Sequence, residues 1–134
     1  MIARKAFFAI VMSCSAVTER AIAETVYLQC SGTFSSNYGS QPIQAAVKDE
    51  TVTVDFDNNQ VSGFYPGVYP IKRVDDKTIV FSTNVSYRDN LTVSALGNID
   101  RITGKTMIFA TESNRPGQAA FIYDLMCYPK RRLF

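Results

Sequence analysis

The chain is 134 residues long, 46% hydrophobic and 19% charged, with a formal net charge of +2 and no histidine. Lack of histidine removes the usual general base, the usual partner of a Ser or Cys nucleophile and the commonest zinc ligand. A charge balance this close to neutral leaves no electrostatic footprint for nucleic acid.

In chain order, the first element is an export signal. Arg4 and Lys5 form a basic start, residues 6–17 (AFFAIVMSCSAV) an apolar stretch, and Ala21-Ile22-Ala23 a small-x-small cleavage pattern, so residues 1–23 read as a signal peptide. The apolar stretch falls short of the about 20 residues a bilayer-spanning helix needs, so no membrane span is expected. Val11-Met12-Ser13-Cys14 loosely resembles a bacterial lipobox, which would make Cys14 the site of a lipid anchor. Trimming at Ala23 removes three basic residues and one acidic residue, leaving eleven of each sign. The mature domain is therefore formally neutral, and it is expected to be periplasmic or secreted.

Residues 24–134 read as one domain, long enough to bury roughly two thirds of the surface of the unfolded chain. Its apolar pattern has period two. Val26, Leu28 and Cys30 alternate with Tyr27 and Gln29, and Val52, Val54 and Phe56 with Thr51, Thr53 and Asp55. The same alternation recurs at Ile79 and Phe81, at Leu91, Val93 and Ala95, at Met107 and Phe109, and at Phe121, Tyr123, Leu125 and Cys127. Turn chemistry separates these runs at Lys48-Asp49-Glu50, Asp57-Asn58-Asn59, Pro66-Gly67, Asp75-Asp76-Lys77, Thr103-Gly104-Lys105 and Arg115-Pro116-Gly117. No window past the signal holds a helical period. The pattern predicts an all-β domain, a single antiparallel meander of about 7–9 strands. A small closed barrel of lipocalin-like, up-and-down type is favoured over a sandwich, because closure removes exposed sheet edges.

Two cysteines remain once Cys14 is removed or lipidated, and in an oxidising compartment Cys30 and Cys127 are expected to pair. Each lies in the apolar phase of its strand, one on the first and one on the last. Their bridge would tie the terminal strands side by side.

Few constellations carry chemistry. Residues 31–41 (SGTFSSNYGSQ) are polar and small and read as a loop at a barrel mouth. Asp55, Asp57 and Asn59 have the spacing that begins a calcium loop, but the glycine and distal glutamate are missing. The segment Phe64-Tyr65-Pro66-Gly67-Val68-Tyr69-Pro70 places aromatics around a tight turn and is the best candidate interaction surface, with Phe64, Tyr65 and Tyr69 as its contact residues. Asn84 and Asn90 sit in glycan-acceptor triplets, which matter only in a eukaryotic source. Gly97 to Thr106 fails as a phosphate loop on spacing and on context. Arg101, next to Asp100 in that segment, is a candidate ligand contact if it faces a barrel cavity. The chain ends on Phe134, as outer-membrane barrels end on an aromatic, but Lys130, Arg132 and Pro129 are wrong for a lipid-facing strand.

Tyr27-Leu28-Gln29-Cys30-Ser31-Gly32, the stretch from Gly97 to Gly104, and Tyr123-Asp124-Leu125-Met126-Cys127 followed by Arg132-Leu133-Phe134 resemble a set of small exported alphaproteobacterial proteins of unknown function. The resemblance implies a periplasmic setting and a paired cysteine frame. It brings no activity and no site residues.

The expected function is that of a binding module for a small apolar ligand or an envelope protein partner, with no catalysis, cofactor or metal. The alternative is an inhibitor of an envelope or foreign hydrolase, working through Tyr65 and Tyr69. A third reading, an enzyme using carboxylates alone, would rest on Asp55 and Asp57.

Overall fold

The computed structural model describes residues 24–37, 42–87 and 90–130. The expected signal over 1–23, the lipidation alternative at Cys14 and the tail beyond Lys130 lie outside the described residues. Eight antiparallel strands follow one another in order: β1 (Thr25–Ser36), β2 (Ile43–Asp55), β3 (Gln60–Phe64), β4 (Gly67–Val74), β5 (Thr78–Ser86), β6 (Thr92–Asp100), β7 (Lys105–Glu112) and β8 (Arg115–Pro129). Each pairs with the next, and β8 returns to β1, so the sheet is a closed meander barrel.

The β1–β8 seam runs in continuous register from Leu28↔Pro129 to Ser36↔Phe121, with Cys30 directly opposite Cys127. Those two cysteines form a disulfide across a sequence separation of 97. Both are buried, because both sit in the inward phase of their strands. Such a bridge fits an oxidising compartment. Backbone bonds extend the seam past both ends of the paired segment: Asn37 N–H donates to the Ala120 carbonyl and Lys130 N–H to the Tyr27 carbonyl, each at 2.8 Å.

Alternation decides what faces inward. Val52, Val61, Tyr69, Phe81, Ile108 and Leu125 fill the middle of the barrel and are almost wholly buried. Outward positions such as Gln29, Thr33, Asn84, Ser94, Asn98 and Asp124 are polar and exposed. A membrane-spanning barrel carries the reverse distribution, apolar outside and polar within. Among the described residues no helix is long and apolar enough to cross a membrane.

Four local expectations are corrected. In β7 the inward face is Thr106, Ile108, Ala110 and Glu112, while Met107 and Phe109 face solvent. The reason is space: Ile108 stands opposite Gly97, where an added Cβ would lie 2.3 Å from the Phe81 ring and 2.9 Å from Ile108. Only a residue with no side chain lets Phe81 and Ile108 meet across the interior. Lys48-Asp49-Glu50 is not a turn but a bulge inside β2, where the register jumps from Cys30↔Glu50 to Gly32↔Val47 and Asp49 takes φ 48°. Arg115-Pro116-Gly117 opens β8, and the turn before it is Ser113-Asn114. Residues 31–36 of the expected loop belong to β1.

Candidate functional site

The two ends of the barrel are built differently. At the end where β1 begins, the three hairpin turns each open on an aspartate whose carboxylate accepts hydrogen bonds from residues just ahead of it. Asp55 accepts from Asn58 N–H at 3.1 Å and from Asn58 Nδ2 at 2.8 Å. Asp75 accepts from Lys77 and Thr78 N–H, both at 2.8 Å. Asp100 accepts from Ile102 N–H at 2.8 Å and Thr103 N–H at 3.0 Å. These are Asx turns, in which a short carboxylate replaces a backbone acceptor. The same bonds hold each carboxyl below its ordinary value: the Asn58 side chain leads for Asp55, the Lys77 amide for Asp75 and the Thr103 amide for Asp100. Asp55 therefore spends both oxygens on Asn58. No group of three or more potential metal-ligating side chains occurs among the described residues.

Inside this ring of turns the barrel is open. A cavity of about 340 Å³ is lined by Val26, Leu28, Val54, Phe56, Ile79 and Ile99, with the β6–β7 turn over it and Cys127 on its floor. Its size is at the lower end of small-molecule sites. The walls are apolar because Val26, Leu28, Val54, Ile79 and Ile99 hold the inward phase near the ends of their strands, and Phe56 follows β2 directly. The β6–β7 turn is pinned down on the β8 end. Gly104 takes φ 83°, and a Cβ there would lie 2.1 Å from the Cys127 carbonyl oxygen. The Gly104 carbonyl instead accepts from Cys127 N–H at 2.9 Å.

Arg101 lies in the same turn and is exposed. Its Nη1 donates to the Asp75 carbonyl at 2.8 Å, and its guanidinium lies 5.9 Å from the centre of the Phe56 ring. The side chain thus spans from one turn to the next across the rim of the cavity. A guanidinium has five N–H donors in a planar fork, so the bond to Asp75 leaves donor capacity at the rim.

The opposite end is filled. Phe34 packs against Phe121 and Tyr123 at 5.8 and 4.7 Å between ring centres, and Tyr65 stands edge-on to Phe121 at 5.4 Å. The Tyr123 hydroxyl accepts from Tyr65 N–H at 2.9 Å, and the Tyr65 and Tyr87 hydroxyls lie 3.2 Å apart. Burial is the main cause raising the Tyr123 pKa. The hydrogen bond with Tyr65 is the main cause pushing that of Tyr87 up to about 12.

Placement of the sequence-derived candidates follows from these two ends. Phe64 and Tyr69 are core residues, at 4% and 0% exposure, with Phe64 parallel to Phe81 and Tyr69 edge-on to it. Tyr65 lies at the aromatic end and is 45% exposed. Arg101 lies at the other end, on the rim of the open cavity. The four are therefore not one surface. A partner docking on the Phe64–Pro70 hairpin meets Tyr65, and Tyr69 is out of its reach. Sequence reasoning did not single out Val26, Leu28, Val54, Ile79 and Ile99 as a site, since as inward aliphatics they resemble core. Their one distinguishing signal is position, at strand ends that meet the Asp-headed turns.

Comparison with protein-family models, with curated proteins and with solved structures finds no match for this chain.

Proposed function

We propose that this protein is a periplasmic or secreted binding module that carries a small apolar ligand in the open mouth of its barrel. The observation that supports it is the aliphatic cavity of about 340 Å³ between Val26, Leu28, Val54, Ile79 and Ile99, at one end of the barrel. Apolar surface left facing water at a concave site is a standing free-energy cost, and a ligand of matching shape removes it at about 25 cal/mol per Å² buried. Arg101 supplies the polar element that fixes orientation, offering donors to an acceptor group at the ligand's outer end. The reading predicts an amphiphile: carbon body inward, carbonyl or carboxylate at the rim. An export signal over 1–23 and the disulfide both favour an oxidising envelope compartment.

The test is native mass spectrometry of protein purified from its own host, followed by titration of the stripped protein with a fluorescent apolar probe. Val26→Trp, which fills the rim, abolishes probe binding, and Tyr65→Ala at the far end leaves it unchanged. Probe binding that survives Val26→Trp, or that is lost in Tyr65→Ala, defeats the reading.

A further inference from the structure

A second concavity lies in the wall of the barrel, away from the mouth. β2 pairs with β3 only where Thr53–Asp55 meets Gln60–Ser62. Among the described residues, the rest of β2, from Ile43 to Val52, pairs with β1 alone. Between it and the β3 end is a slot of about 340 Å³, walled by Phe34, Phe64, Tyr123, Ala45 and Val47, with Glu50 as its one charged side chain. Gly63 is part of the slot's lining, and a Cβ there would stand 2.6 Å from the Thr51 carbonyl oxygen.

Three aromatic rings share this slot. Tyr123 lies 4.7 Å from Phe34 and 5.3 Å from Phe64, centre to centre, and both pairs are tilted. All three line the slot, so a guest in it meets aromatic carbon from three strands, and rings attract cations within about 6 Å of their centres. Glu50 is there by construction. Glu50 stands opposite the inward-facing Cys30, in the same phase as Val52 and Val54. The bulge at Lys48-Asp49 shifts the phase so that Val47 and Ala45 come to this face too. Ser31 fixes the bulge: its hydroxyl accepts from Asp49 N–H at 2.9 Å. Without the extra residue, Val47 and Ala45 would turn to the opposite face and the slot would lose its aliphatic wall. The Glu50 side chain makes no ion pair or hydrogen bond among the described residues.

We propose that the slot formed by Phe34, Phe64, Tyr123 and Glu50 binds an alkylated ammonium group. Electron-rich ring faces plus a single carboxylate match a cation with a carbon surface and no demand for several acceptors. A bare metal ion is a poor match, since the slot offers one carboxylate where hard cations take six or more oxygens. A primary ammonium needs up to three acceptors, and the Tyr123 hydroxyl is already engaged by Tyr65 N–H. The raised pKa of Tyr123, due first to burial and in part to Glu50, keeps the phenol neutral through the physiological range. This site is independent of the mouth and of its proposed ligand.

The experiment is an NMR titration of the mature chain with choline and with 3,3-dimethylbutan-1-ol, which has the same shape without the charge. Choline shifts the ring resonances of Tyr123, Phe34 and Phe64 saturably, and the alcohol binds at least about fivefold more weakly. Glu50→Gln, a change at an exposed position that leaves folding intact, removes that difference. Phe34→Leu keeps apolar volume but loses a ring face, and weakens choline about fivefold. Val26→Trp at the mouth leaves choline binding unchanged. Equal binding of the two probes, no saturable shift at millimolar choline, or full choline affinity in Glu50→Gln each overturns the proposal.

Discussion

The two ends of this barrel use opposite means to finish the same eight strands. One is rimmed by three Asp-headed turns around an aliphatic hollow. The other is closed by a stack in which Phe34, Phe121, Tyr123 and Tyr65 touch ring to ring and share hydroxyl hydrogen bonds. Rigidity is thus concentrated in aromatic side chains at one end and in backbone turns at the other. Turns can hold a rim in place without occupying what lies inside it, whereas aromatic packing holds an end by filling it. That division lets one end of a small barrel stay empty while the fold remains determined.

Substitutions of like chemistry at the two ends separate these roles. Phe121→Ala removes a ring that is 1% exposed and leaves a void, with an expected cost of about 3–5 kcal/mol in urea unfolding. Phe56→Ala at the mouth removes a partly buried ring beside an existing hollow and costs about 1 kcal/mol. Equal losses at the two positions would show that the mouth is as tightly packed as the plug. The double change Cys30→Ser with Cys127→Ser comes next, at about 2–5 kcal/mol, because it releases a loop spanning a sequence separation of 97. Thermal unfolding with and without reductant measures it in the unaltered chain.

The smallest effects are in titration, and the two ends respond at opposite extremes of pH. Asp55, Asp75 and Asp100 have pKa values below the unbound 3.8, so their turns contribute stability that is present above that value and lost as pH falls through the folded values. Acid should therefore loosen amides of the mouth turns first. Tyr87 and Tyr123 lie above the unbound 10.0, Tyr87 at about 12. Their contribution is full below pH 10 and is lost as pH rises through the folded values, toward 12 for Tyr87. NMR followed from pH 7 in both directions reads both; acid changes that begin at the aromatic end would contradict the assignment.

Much of the fold was legible because the barrel obeys simple alternation. β1, β2, β5, β6 and β8 follow their apolar phase, and the pairing of Cys30 with Cys127 follows from that phase at the first and last strands. Where reading failed, two structures share one chemistry. Asp49 at positive φ serves a bulge as readily as a turn, and residue types alone do not separate the two. In β7 the larger residues Met107 and Phe109 promise an inward face, yet Gly97 on the neighbouring strand makes room for Ile108 instead. That information sits ten residues away and becomes visible only when strands are paired. In the β3–β4 hairpin, rings clustered around Pro66-Gly67 suggest an interaction loop, whereas packing draws Phe64 and Tyr69 into the core. Neither the mouth nor the wall slot has a sequence signature, since a hollow is set by what neighbouring side chains fail to reach.

The sulfur bridge also bears on how the molecule tolerates damage. Cys30 and Cys127 bracket every connection between strands, from residues 37–42 to Ser113-Asn114. The polypeptide between them is a covalent macrocycle. A protease that severs any one of those connections makes a nick and frees no fragment, so the pieces stay tethered and can re-anneal in place. A first cut is therefore survivable, and only a second one inside the ring removes material.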